Sequence, residues 1–156
     1  MEHRIRSAGL IINNNTILLV LHRHPGNGDE WWVPPGGGLK SIDNSIFDTA
    51  KREIFEETGL TVVVNRISYI REYRETSVSV HHLEFFMPVE SYSGQLTIKN
   101  VLPGDEDALY VKDVKWMKRP ELDNIVVYPE WLRSDEFWQA AEQNFPDTRY
   151  TEIQFG

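Results

Sequence analysis

Residues 38–60 run GLKSIDNSIFDTAKREIFEETGL. Periodicity predicts a helix over Ser45–Thr58. Ser45 followed by Asp48 makes a capping-box-like start, and Gly59 is placed as its C-terminal stop. At about 100° per residue, with Glu53 at zero, Glu57 falls near 40° and Glu56 near −60°. Ile46, Phe47, Ala50 and Ile54 spread from about 20° to about 120°, so the acids border the apolar stripe instead of opposing it. A merely solvated acidic face would lie on the far side. Carboxylates held this close raise one another's proton affinity unless cations compensate, and hard oxygen ligands of this kind suit Mg²⁺ or Mn²⁺. Gly36, Gly37 and Gly38 lie immediately upstream. Such a run lets backbone approach a ligand closely, offering amides to a phosphate or a carbonyl to a metal. An acidic helix patch alone is usually surface, and a glycine run is usually a turn. Their joint occurrence in one loop–helix–loop points to a site.

Outward from this segment the chain alternates strands and turns. Gly9–Ile12 and Ile17–Leu21 flank Asn13, Asn14 and Asn15, a hairpin turn because asparagine tolerates the left-handed conformation. His24–Asp29 reads as a loop, and Trp31–Val33 as a short strand ending at the Pro34–Pro35–glycine run. Thr61–Val64, Ile67–Glu72, Val78–Val89, Leu96–Ile98 and Leu109–Trp116 have strand character. Tyr128–Pro129–Glu130 opens a C-terminal helix predicted over about 129–144, with Trp131, Leu132, Phe137, Trp138 and Ala141 on its buried face. No repeat or flexible linker interrupts residues 1–156, which are read as one α+β domain.

Composition narrows the function classes. The 156 residues are 40% hydrophobic and 12% aromatic, enough for a substantial core. No cysteine is present, which removes disulfides, thiolate metal sites and cysteine nucleophiles. Sixteen Lys+Arg against 24 Asp+Glu give a net charge of −8, which argues against a nucleic-acid polymer or an anionic membrane as partner. Residues 121–156 hold eight of the acids and only two bases, so most of the excess lies away from the helix. No apolar run approaches the roughly 20 residues of a membrane span, and no signal segment is visible, so a cytoplasmic protein is expected.

Gly38 to Leu60 resembles the signature box of the Nudix hydrolase family, MutT-like proteins with G-x5-E-x7-R-E-U-x-E-E-x-G-U, where U is a bulky aliphatic. Arg52-Glu53-Ile54-Phe55-Glu56-Glu57-Thr58-Gly59-Leu60 fills the second half, and Trp32–Gly37 is similar to the usual approach to the box. One position departs: Asn44 stands at the first glutamate, with Asp43 beside it to supply a carboxylate if the loop has slipped by one residue. The resemblance implies an α/β/α sandwich with a mixed β-sheet packed between helices. It also implies a pyrophosphohydrolase, splitting a nucleoside diphosphate linked to another moiety by water attack at phosphorus. By position, Glu56 and Glu57 would be metal ligands with the Gly37 carbonyl. Glu53 would be a further ligand or the general base, and Arg52 would pair with a helix carboxylate.

Other residues are secondary candidates. Glu106 could supply a further ligand or base from a later loop, although an acidic loop needs no such role. Arg23, Arg71 and Arg74 could hold an anionic substrate. Trp31 or Trp32 could stack a base, with alternation allowing only one of them to face the cleft, and Trp32 is the candidate. Gly36, Gly37 and Gly38 would cradle phosphate. His81 and His82 point to opposite faces, which disfavours a paired site. Neither the proline nor the tyrosine that some family branches carry beyond the box is present, since Thr76 and Ser77 occupy that region. Nucleoside triphosphates, nucleotide sugars and dinucleoside polyphosphates all remain compatible. The alternative function is a non-catalytic nucleotide-binding or regulatory module, motivated by Asn44. A homodimer through C-terminal aromatics is compatible with either.

Overall fold

The computed structural model describes residues 1–156. Its strands are β1 (Glu2–Leu10), β2 (Ile12–Asn13), β3 (Thr16–Arg23), β4 (Glu30–Val33), β5 (Gly36–Gly38), β6 (Thr61–Val63), β7 (Tyr69–Glu75), β8 (Val80–Pro88), β9 (Ser91–Ser93), β10 (Val111–Lys118), β11 (Arg149–Tyr150) and β12 (Gln154–Phe155). The helices are α1 (Ile46–Thr58), a single turn α2 (Asp107–Tyr110), and α3 (Asp135–Glu142). The larger sheet runs β11-β7-β8-β1-β5 with β12 also on β7, and it is mixed: β1 and β8 are parallel, β7 and β8 antiparallel. A second sheet runs β10-β3-β2 with β4 on β3, and β6 pairs with β9.

The layering follows from β3. Ile17, Leu18, Leu19 and Val20 are all fully buried, so this strand has core on both faces, as a continuous apolar run requires. Ile17 and Leu19 join Leu10, Phe86, Leu132 and Phe137 under the C-terminal helical segment. Leu18 joins Ile11, Ala50, Ile54 and Met87 under α1. Helices thus cover both sides of central sheets, the α/β/α arrangement expected. The hairpin turn is also as predicted: Asn14 and Asn15 both take positive φ, 49° and 61°. No helix is long and apolar enough to cross a membrane.

Four readings differ. The C-terminal helix over 129–144 is two pieces, a 3₁₀ turn at Glu130–Arg133 and then α3. Ser134 breaks them: its backbone is extended and its Oγ accepts the Phe137 amide, making it a helix cap instead of a helical residue. Leu96–Ile98 forms no strand, and Leu109 and Tyr110 belong to α2, with β10 beginning only at Val111. The glycine run is not a turn but strand β5, paired with Arg6–Ala8. A Cβ on Gly36 would lie 2.3 Å from the Ser7 carbonyl oxygen, so only glycine allows this pairing.

Candidate metal and substrate site

α1 starts where its cap predicts, with Ser45 Oγ accepting the Asp48 amide at 3.2 Å, and it ends at Gly59 in the left-handed region at φ 80°. Between those limits it carries Glu53, Glu56 and Glu57, only 2%, 8% and 0% exposed. β5 lies directly against them. The Gly36 N–H donates to Glu57 Oε1 at 2.8 Å, and a Cβ on Gly37 would stand 2.4 Å from the Glu53 carboxyl carbon. The glycines bring main chain into contact with the acids.

Arg52 is the one cation among them. Nη1 donates to Glu53 Oε1 at 2.8 Å and more distantly to Glu56, while Nη2 also reaches the Gly38 carbonyl at 3.0 Å. Its Nε and Nη2 form a two-pronged pair with Asp43, both at 2.8 Å. Asp43 further accepts Thr49 Oγ1 and the Lys40 amide, each at 2.9 Å. The guanidinium holds the Asp43 carboxyl well below the usual aspartate range. Asp43 is therefore Arg52's anchor and belongs to neither acid cluster, and Asn44 is exposed beside it. In this structure Asp43 supports Arg52 and stands outside both acid groups.

Of the later loop's acids, Asp107 joins the α1 carboxylates, whereas Glu106 lines the cleft outside both acid groups. Glu53, Glu56 and Asp107 form one group whose ligand atoms lie within 4.8 Å of one another; His22, Glu57 and Asp107 form another. Burial, reinforced by neighbouring carboxylates, pushes the proton affinities of Glu56 and Asp107 up and that of Glu57 far up. Burial also pushes His22 down to about 4. His22 Nε2 lies 3.8 Å from Glu57 Oε2, and a neutral ring makes this no ion pair. Buried Glu53 Oε2 and Glu57 Oε2 have no hydrogen-bond partner. Unpartnered carboxylate oxygens converging with Asp107 fit a hard divalent cation.

The cluster opens into a cleft of about 350 Å³ that continues into an outer hollow of about 680 Å³. Alternate residues of the larger sheet form its wall. Arg6, Glu84, Arg71 and Gln154 make a row across β1, β8, β7 and β12. Arg71 donates to Glu84 at 2.7 Å and to Gln154 Oε1 at 2.6 and 3.0 Å. Arg74, on the opposite face of β7, does not join them; its contact is the Met1 sulfur. Arg23 pairs with Glu30 at 3.4 Å outside the cleft. Alternation also reverses the tryptophan assignment. Trp31 lines the cleft, stacked on His22 at 5.7 Å, whereas Trp32 packs into the core. Gly36, Gly37 and Glu106 line the cleft, but Gly38 does not. His81 and His82 face opposite sides, toward Glu72 and Glu75. Sequence reasoning missed Arg4, Arg6, His22, Asp107, Tyr110 and Tyr128. Only the Arg4/Arg6 alternation on a strand offered a signal for any of them.

An α/β/α domain with buried helix carboxylates beside a cleft of arginines and acids is the setting of a hydrolase with a candidate metal site. The NUDIX domain model matches residues 3–141, and the chain belongs to the Nudix family. It is 30% identical over 118 residues to the uncharacterized Nudix hydrolase YvcI of Bacillus subtilis, covering 73% of this chain and 69% of YvcI. Nudix hydrolase 8 of Arabidopsis thaliana is 24% identical over 143 residues, covering 90% of this chain but 35% of its own length. Human nucleoside diphosphate-linked moiety X motif 6 is 31% identical over 71 residues, 46% of this chain and 22% of its own length. The chain thus spans about a third of the plant relative and less than a quarter of the human one. In fold it is similar to the E. coli ORF135 protein, with a TM-score of 0.68 at 20% identity over 94% of this chain and 95% of that one.

Proposed function

We propose that residues 1–156 act as one Nudix domain that hydrolyses a nucleoside diphosphate linked to another moiety, by attack of water at phosphorus in the presence of Mg²⁺ or Mn²⁺. The observation that carries this is the pair of unpartnered, buried carboxylate oxygens of Glu53 and Glu57, grouped with Asp107, which itself lines the arginine-bearing cleft. The human relative's name supports the substrate class.

Glu53, Glu56 and Glu57, with the Gly37 carbonyl and Asp107, are the residues that would hold the cation. When bound, a divalent cation neutralises charge on the leaving phosphate and lowers the pKa of the attacking water. Glu53 takes the water's proton or serves as a further ligand; Arg52, fixed by Asp43, holds its carboxylate in place. Arg6 and Arg71 draw the phosphates into the cleft, and Trp31 offers a face on which a base can stack. Asp43 keeps Arg52 anchored although Asn44 replaces the first box glutamate, so the ground for a non-catalytic reading is weakened.

The test is a phosphate-release screen over nucleoside triphosphates, nucleotide sugars and dinucleoside polyphosphates with Mg²⁺ and Mn²⁺, run beside Glu57→Gln. Turnover that the variant loses supports the proposal. Near-normal turnover in the variant sinks the assignment of Glu57, and tight nucleotide binding without turnover makes the chain a sensor.

A further inference from the structure

We propose that His22, Glu57 and Asp107 form a second cation position beside the Glu53–Glu56 position, one whose imidazole nitrogen favours a transition-metal ion such as Mn²⁺ over Mg²⁺. The inference rests on the metal-dependent reading above and adds to it a ligand that no carboxylate motif supplies.

Geometry carries it. A His22 ring nitrogen, a Glu57 oxygen and an Asp107 oxygen lie within 4.8 Å of one another, and Nε2 is 3.8 Å from Glu57 Oε2. Metal bonds of about 2.0–2.2 Å place adjacent ligand atoms roughly 3 Å apart and opposite ones roughly 4 Å apart, so an ion needs only small shifts to fit. Glu57 is fully buried. Its Oε1 is committed to the Gly36 amide, whereas Oε2 faces the imidazole and has no hydrogen-bond partner. The ring has little freedom to turn away, because it lies between strand neighbours and stacks on Trp31 with 21° between the planes. Packing against Trp31 would be served equally by a phenylalanine. It gives no reason for a nitrogen aimed at an otherwise unpartnered carboxylate.

Charge points the same way. Arg52 reaches Glu53 and Glu56 as well as Asp43, but its one charge is balanced by Asp43, so Glu53, Glu56, Glu57 and Asp107 keep an excess of negative charge. One divalent ion balances half of that charge and two balance all of it. Asp107 belongs to both groups, so it would bridge the two positions. Mg²⁺ takes oxygen ligands by preference and accepts imidazole less readily than first-row transition-metal ions do, so the His22 position is the one that discriminates between metals.

The experiment uses the full chain stripped of metal and titrated with Mn²⁺ alone, without nucleotide. Bound ions are counted from the loss of the free-ion EPR signal, and pulsed EPR reads nitrogen coupling. Two ions per chain and a nitrogen coupling are expected. His22→Phe, which keeps the ring stack, should lose the coupling and weaken the second ion at least tenfold, and excess Mg²⁺ should displace the nitrogen-free ion first. One ion without nitrogen coupling, or two ions unaffected by the substitution, overturns this inference and leaves the metal-dependent reading standing. No Mn²⁺ binding at all overturns both. If His22→Phe fails to fold, the nitrogen coupling in the wild-type chain decides the matter by itself.

Discussion

Two parts of the chain are rich in acid, and the fold treats them in opposite ways. Between residues 121 and 156 eight carboxylates are all exposed, spread over the 3₁₀ turns, α3 and the tail. On α1, Glu53, Glu56 and Glu57 are buried; Glu53 and Glu57 press against the glycine strand, and Glu53 and Glu56 share one arginine. Number and net charge favour the first region, but chemistry resides in the second. A carboxylate in water costs nothing to keep ionised. One buried beside others is kept only where something is gained, because burial and mutual repulsion both oppose its charge. The C-terminal region does reach the cleft, but chiefly through Tyr128, Pro129 and Gln154, with Glu130 its sole acid there.

The comparison is most sharply tested at Glu57. Glu57→Gln should lower turnover about 10³-fold, the scale of losing a catalytic carboxylate. It should leave the melting temperature of the metal-free protein unchanged or higher, because a buried acid is exchanged for a neutral amide that keeps the Gly36 bond. A variant that unfolds would make Glu57 structural and erase the contrast.

Asp43→Ala comes next. Breaking this largely buried pair removes the two-pronged contact that fixes Arg52, leaving it only Glu53, Glu56 and the Gly38 carbonyl, and should cost about 3 kcal/mol, with a fall in kcat because Arg52 no longer holds Glu53 in place. The folded carboxyl is lowered from its ordinary 3.8, so the wild-type contribution is present above that pH and is lost as pH falls toward the folded value. Urea titrations across that range should show the variant with less acid sensitivity than wild type.

The adjacent tryptophans divide the two roles within one strand. Trp32→Ala should cost about 2 kcal/mol of stability from core contacts. Trp31→Ala should spare the fold and raise KM about tenfold through lost stacking. The smallest effect is expected from the C-terminal acids. Glu121→Gln, Asp123→Asn and Glu142→Gln together should move stability by less than about 0.5 kcal/mol each and leave turnover unchanged. A marked loss of activity would show that the general acidity does matter to the site.

The box helix was legible because capping, periodicity and acid placement all act within a few residues. Ser45, Gly59 and the carboxylate arc fall where local geometry puts them. The strand runs were legible for the same reason, although Ser134 cut the last helix by capping locally where apolar spacing predicted continuation. Asp107 was not legible. Glu106 and Asp107 are neighbours in one acidic loop, and which one turns inward depends on how α2 docks against β3. Arg23 and Arg71 are likewise indistinguishable as strand arginines until the sheets are assembled; one then meets Glu30 at an exposed edge and the other joins the cleft wall.

The chain by itself determined the helix that gathers the acids, the glycines that approach it, the absence of thiol chemistry, and membership of a recognisable box. All of these depend on the identity and spacing of near neighbours. Tertiary structure alone decided which carboxylates lost their water, that Asp43 would anchor Arg52, and that His22 and Asp107 would arrive beside Glu57. Residues 22, 57 and 107 share no periodicity, and burial and convergence are properties of the packed layers. Only the packing of α1, β3 and α2 brings these residues within ligand distance of one another.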